Sequence, residues 1–258
     1  MSSVLSQHVP HLEAMKKYPS TLFYKGNLDL LKRPKVSIVG TRRPSNYTRQ
    51  YTFNLAKALA KRGVCVVSGA AMGVDAIAHE GAGEDNTIAV VANGLNIRYP
   101  VVNRGLIEGI ENRGLVLSQF NDGFRASGWS FVVRNELVVA LGDILVVTEA
   151  DLDSGSMCSV EYALKMGKEI FVLPQRLGES LGTNQLLNEK RANAIHDIEA
   201  FASRFGRGVN DEVEKDEFFY FCQNSPTFDE SLEKYGDRIY EAELDGVITI
   251  RNGIVRLS

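Results

Sequence analysis

The sequence predicts an α/β protein: an extended Rossmann-like, doubly wound, mostly parallel sheet followed by a small winged-helix-like C-terminal domain. Three observations carry this expectation. Short, near-continuous Val/Ile/Leu runs recur from residue 35 to about residue 206, as expected for strands buried on both faces. Helical patterns alternate with these runs through short connections. Beyond Phe205-Gly206-Arg207-Gly208 the composition turns acidic and the pattern changes to short helices and a hairpin.

In chain order, residues 1–34 read as a partly ordered lead-in packed on the main domain. The domain itself spans 35–208. Its expected strands are Val36–Val39, Val64–Ser68, Thr87–Ala92, Leu115–Ser118, Ile144–Thr148 and Ile170–Leu173. Between and after them, helices are expected over Asn46–Lys61, Val74–Gly81, Asn103–Glu111, Phe131–Leu141, Met157–Met166 and Thr183–Lys190. Helical spacing puts Tyr47, Tyr51, Leu55, Ala58 and Leu59 on one face of the first of these. Residues 211–258 predict helices near Asp216–Gln223, Thr227–Tyr235 and Asp237–Leu244, then two strands around Asn252-Gly253, a strong hairpin signal.

Composition narrows the function. With 44% hydrophobic and 24% charged residues the chain reads as an ordinary soluble protein. Its most apolar stretch, Leu137 to Val147, is broken by Gly142 and Asp143, so no membrane span is expected. Three separated cysteines (Cys65, Cys158, Cys222) suit reduced thiols in a cytoplasm, and the four histidines lack metal-ligand spacing. No metal or cofactor is expected. The net charge of −3 is unevenly spread: residues 211–258 carry 12 acidic and 5 basic side chains. By contrast, six basic residues and no acid lie between Lys32 and Arg49, a local patch suited to a polyanion.

The strand ends carry the chemistry, because ligands of doubly wound sheets bind where helix N-termini and turn amides point outward. Strand one runs into Gly40-Thr41-Arg42-Arg43-Pro44-Ser45 and strand two into Ser68-Gly69-Ala70-Ala71-Met72-Gly73-Val74-Asp75. The run after strand five is Asp153-Ser154-Gly155-Ser156-Met157. Small residues there let phosphate approach backbone amides, and Arg42 and Arg43 stand ready for charge-assisted contacts. The GxGxxG turn and the acidic residue after strand two that a dinucleotide needs are missing, as is GxxxxGK[ST]. A second cluster, Gly128-Trp129-Ser130-Phe131-Val132-Val133-Arg134-Asn135, sets the only Trp and a Phe beside an Arg and an Asn. Trp129 and Phe131 read either as core anchors or as stacking faces for bases.

The ordered motifs GTRRPS, SGAAMGVDAIAHEGA, NGLNIRYPVVN, GLVLSQF, RNELVVALGD and SGSMCSVEYALKMGKEIFVLP together resemble the DNA-processing protein A (DprA/Smf) family of bacterial transformation. The resemblance covers roughly residues 18–258. It implies a dimeric, non-enzymatic protein that binds incoming single-stranded DNA and loads the RecA recombinase onto it during natural transformation. Carried over by position, the implied DNA pocket holds Gly40, Arg42, Arg43, Ser68, Gly69, Phe131, Arg134, Asn135, Gly155 and Ser156. Trp129 is added as a stacking residue, since Gly128-Trp129 stands where many members place a basic residue. For the acidic C-terminal domain a protein-contact or regulatory role is expected. The rival is a nucleotide-processing hydrolase similar to the lysine-decarboxylase-like (LOG) phosphoribohydrolases, with Glu161 stabilising an oxocarbenium-like transition state and Arg134 holding phosphate.

Overall fold

Alternation of Val and Ile with small residues builds strands that bury both faces, and in the computed structural model these strands assemble into one large sheet. Residues 2–206 and 216–257 are described; they fall into two compact units divided near residue 207. The segment 207–215, in which both expected domain boundaries lie, is outside the described residues.

The first unit runs β1 (Ser3–Val4), β2 (Phe23–Gly26), β3 (Lys35–Val39), α1 (Asn46–Lys61), β4 (Cys65–Ser68), α2 (Val74–Ala82), β5 (Thr87–Val91), α3 (Arg104–Arg113) and β6 (Leu115–Ser118). It continues through α4 (Gly128–Leu141), β7 (Ile144–Val147), α5 (Gly155–Lys165), β8 (Ile170–Val172), α6 (Leu181–Asn188), β9 (Asn193–Ala194) and α7 (Ile198–Ala202). The nine strands lie in the order β1-β2-β6-β5-β4-β3-β7-β8-β9. From β6 to β9 every pairing is parallel, whereas β1–β2 and β2–β6 are antiparallel.

Two corrections concern the N-terminal half. Residues 1–34 are more than a packed lead-in: β2 pairs with β6 along Phe23–Gly26 and widens the sheet, and Leu12 and Leu30 enter the core. On α1 the buried stripe is Thr48, Thr52, Leu55, Ala56, Ala58 and Leu59. Tyr47 and Tyr51 are off that stripe, 42% and 38% exposed, with rings 4.6 Å apart. Small α1 residues let α2 approach closely, since a Cβ on Gly81 would meet the Ala56 Cβ at 3.0 Å. The tyrosines lie on the other flank of the helix, beside Leu173, Pro174 and Ile195, where a groove stays open.

The sheet faces divide the core. Val39, Val67, Val90, Leu145 and Val172 point toward α4, α5 and α6; Val36, Ile38, Val66 and Val146 pack under α1, α2 and α7. Each such fully buried Val or Leu contributes about 1.5–3 kcal/mol. The order of strand addition reverses around β3: β4, β5 and β6 follow to one side, then α4 crosses back so that β7 pairs on the other. Such a switch point opens a crevice between the two outgoing loops.

The second unit has α8 (Glu217–Gln223), α9 (Phe228–Tyr235), α10 (Arg238–Leu244) and the antiparallel pair β10 (Ile248–Arg251) and β11 (Ile254–Leu257). Asp216 and Thr227 cap α8 and α9. Asn252 and Gly253 both take positive φ, 51° and 74°, as a tight two-residue hairpin turn requires. Its own core contains Phe218, Cys222, Ile239, Ile248 and Val255. Among the described residues no helix is long and apolar enough to cross a membrane.

Candidate nucleic-acid interface

A cleft of about 590 Å³ opens at the switch point. Four chain segments meet there: the turn after β3 (Gly40, Thr41, Arg42), the loop into α2 (Ala71, Asp75), α4 (Gly128, Phe131, Val132, Arg134, Asn135) and the start of α5 (Ser154, Gly155, Ser156, Ser159).

The β3 turn is held from both sides. Thr41 donates its amide to the Glu149 carbonyl at 2.8 Å and accepts from the Val74 amide at 3.1 Å. Ser45, the N-cap of α1, donates from both its amide and its hydroxyl to Glu149 Oε2, each at 3.0 Å. Gly40 allows the close approach, since a Cβ there would lie 2.7 Å from Val74 Cγ2. Arg42 and Arg43 are thereby displayed on a fixed turn with their side chains exposed.

Arg134 comes from beneath. Its side chain is 5% exposed, its Nη1 donates to the Val90 carbonyl at 3.0 Å, and Asp75 Oδ2 lies 3.9 Å away. Burial lowers the guanidinium pKa and Asp75 opposes that shift. For Asp75, burial raises the carboxyl pKa above the usual range and Arg134 draws it back only in part. Arg134 brings a buried positive charge that Asp75 balances, while Nε of Arg134 and the hydroxyls of Ser154 and Ser159 have no hydrogen-bond partner among the described residues.

Above this floor Arg42 lies over the Phe131 ring at 5.2 Å and Arg134 approaches it at 5.9 Å; the Tyr99 ring is tilted against it at 6.2 Å. Gly69 lies beyond, in a small hollow shared with Arg42, Tyr99 and Phe131. Asn135 reaches across the cleft to the Gly155 carbonyl at 3.3 Å. A Cβ on Gly155 would meet nothing within 4 Å, so this helix start opens to incoming groups.

Gly40, Arg42, Phe131, Arg134, Asn135, Gly155 and Ser156 therefore gather on one cleft. Arg43 is on its outer shoulder, its amide held by Thr41 Oγ1 at 3.2 Å. Ser68 is fully buried and gives its only hydroxyl proton to the Ile38 carbonyl at 2.6 Å. Trp129 is outside the cleft lining, 57% exposed and edge-on to Phe120 and Phe124. Asp75 was not singled out from the sequence; an acid in the first turn of a glycine-led helix was the available signal. Glu161 lies in another hollow, where Arg191 binds it at 2.8 Å, and not with Arg134.

The sequence model of the DNA recombination-mediator protein A family matches residues 4–206. DNA processing protein DprA of Streptococcus pneumoniae is 38% identical over 175 residues, 66% of this chain and 62% of that protein. Protein Smf of Synechocystis is 38% identical over 162 residues, 60% of this chain and 41% of its own length. The chain thus spans between two fifths and two thirds of these relatives. Among solved structures, DNA processing protein A from Helicobacter pylori, described for its single-stranded DNA binding mode, matches with TM-score 0.77 and 43% identity. That match covers 79% of this chain and 95% of the other. The S. pneumoniae DprA structure matches with TM-score 0.73 and 32% identity over 81% of this chain and 75% of that one.

Proposed function

The chain belongs to the DNA recombination-mediator protein A family, and from that premise we propose that it binds single-stranded DNA in the switch-point cleft and passes it to the RecA recombinase in the cytoplasm during natural transformation. One observation carries the reading: residues from four separate segments converge on a single cleft with arginine at its lip and floor and an aromatic ring between them. Guanidinium groups and helix-start amides suit the phosphates of a strand, and Phe131 offers a stacking face that every base can use. The protein acts here by holding, not by covalent chemistry, and as a homodimer it would engage one strand twice. Arg43, on the shoulder beside Arg42, extends the phosphate path, and Gly69 keeps Arg134 in place.

Fluorescence anisotropy with single-stranded and duplex oligonucleotides over a salt series tests the proposal. Binding should prefer the unpaired strand, and log K should fall by about 0.7 per neutralised phosphate for each tenfold rise in salt. Salt-independent binding, or an unchanged affinity for Arg42→Ala, would sink it. Sedimentation of the protein alone, and RecA filament growth on strands carrying it, test the dimer and the handover.

A further inference from the structure

The rim of the sheet that carries the cleft continues past β7 to β8 and β9, and a second hollow lies there. A groove of about 350 Å³ has Leu173, Pro174 and Ile195 as apolar lining, the Tyr47–Tyr51 pair along one side and His196 on its margin. Leu173 and Pro174 follow β8, and Ile195 and His196 follow β9, so this groove and the cleft open at the same, C-terminal edge of the parallel strands. The boundary between β8 and β9 is two inter-strand spacings, about 10 Å, from that between β3 and β7. α1 joins the two hollows, because its start follows directly from the turn bearing Arg42 and Arg43.

The two acids at the groove are already engaged. Glu199 pairs with Arg62 at 2.8 Å, and Asp197 accepts the Ala200 amide at 2.9 Å as the cap of α7. Exposed Arg43 and Arg49 flank Tyr47 in sequence. An exposed aromatic pair one turn on from the exposed Arg43 guanidinium offers stacking faces with a phosphate contact leading into them.

We infer that the Tyr47–Tyr51 groove is a second subsite for the same unpaired strand, taking bases beyond those held in the cleft while Arg43, on the turn that enters α1, meets a connecting phosphate. This inference rests on the single-strand reading of the cleft. An unpaired strand, rather than a protein segment, suits the groove because it opens on the same strand edge as the cleft, with Arg43 on the turn between them and its own two carboxylates engaged.

The test compares thymidine oligonucleotides of about 4 and about 16 nucleotides, the span of known single-strand site sizes, by anisotropy. The Tyr47→Ala/Tyr51→Ala protein should bind the longer one about tenfold more weakly than wild type, as loss of one stacked base predicts, and the shorter one equally well. The Tyr47→Phe/Tyr51→Phe protein should bind both normally, because phenyl rings stack as phenols do. Arg42→Ala should weaken both lengths. Equal binding of the long strand by the alanine variant and wild type would overturn the second subsite while leaving the cleft intact. Parallel loss at both lengths would also overturn it, by placing the tyrosines in the cleft interaction itself. Wild type that binds neither length would overturn the cleft reading and this one together.

Discussion

Gly69 lies directly against the guanidinium of Arg134: a Cβ at this position would overlap Nη1, with Asp75 Oδ2 also within contact. The end of β4 must therefore be side-chain-free for the arginine to cross it and reach the Val90 carbonyl. Gly69→Ala should expel Arg134 from its place and leave Asp75 buried without a counter-charge, at a cost of about 3 kcal/mol. Urea unfolding reads this directly, and a variant as stable as wild type would show that the arginine has other room.

Arg42 differs in kind, being exposed with its guanidinium over the Phe131 ring. Arg42→Ala should leave the melting temperature within about 2 °C of wild type and weaken single-strand binding about tenfold, the worth of one charge-assisted contact. Its salt slope should fall by about 0.7 if one phosphate contact is lost. Calorimetry and anisotropy on the same samples separate the two effects.

His79 predicts an acid sensitivity. Thr87 gives its hydroxyl proton to the Val66 carbonyl at 2.8 Å, so at 2.6 Å it accepts from His79 Nδ1, and Nε2 has no partner. Burial, reinforced by Arg134, depresses the imidazole pKa to about 3, against 6.5 as the ordinary value. The unfolded chain therefore takes up a proton below pH 6.5 that the folded one refuses until about pH 3, and stability falls as pH drops through that window. The slope from this group should approach about 1.4 kcal/mol per pH unit. In His79→Gln the urea midpoint should lose much of this slope; an unchanged slope would assign it to other groups.

Trp129 reports on the edge of the site. It packs on Phe120 and Phe124 outside the cleft lining, so Trp129→Ala should change single-strand affinity less than about twofold, far below the worth of a stacked base. Since it is the only tryptophan in the chain, its emission can be followed during titration. Strong quenching together with a large affinity loss would bring Trp129 into the strand path.

The parallel strands were legible because burial on both faces demands runs such as Ile144-Leu145-Val146-Val147, and the Asn46–Lys61 helix has the expected bounds. β2 was not, since Phe23-Tyr24-Lys25-Gly26 is too short and mixed to show a period, and its pairing with β6 is set by tertiary contact. Within the site, the small residues at strand ends marked the cleft, but side-chain direction was hidden. Tyr47 and Tyr51 share a helical spacing with Leu55 yet stay exposed, because they sit at the flank of the buried stripe beside an open groove at Leu173, Pro174 and Ile195. Arg134 reads as a surface charge until Asp75, far away in sequence, is seen opposite it. Ser68 looks like a phosphate donor until its hydroxyl is found on Ile38.

At both borders the sheet ends in a strand of only two residues, β1 on one side and β9 on the other. A strand added at either border would find only two residues to pair with, so growth of this sheet edge to edge is weakly templated.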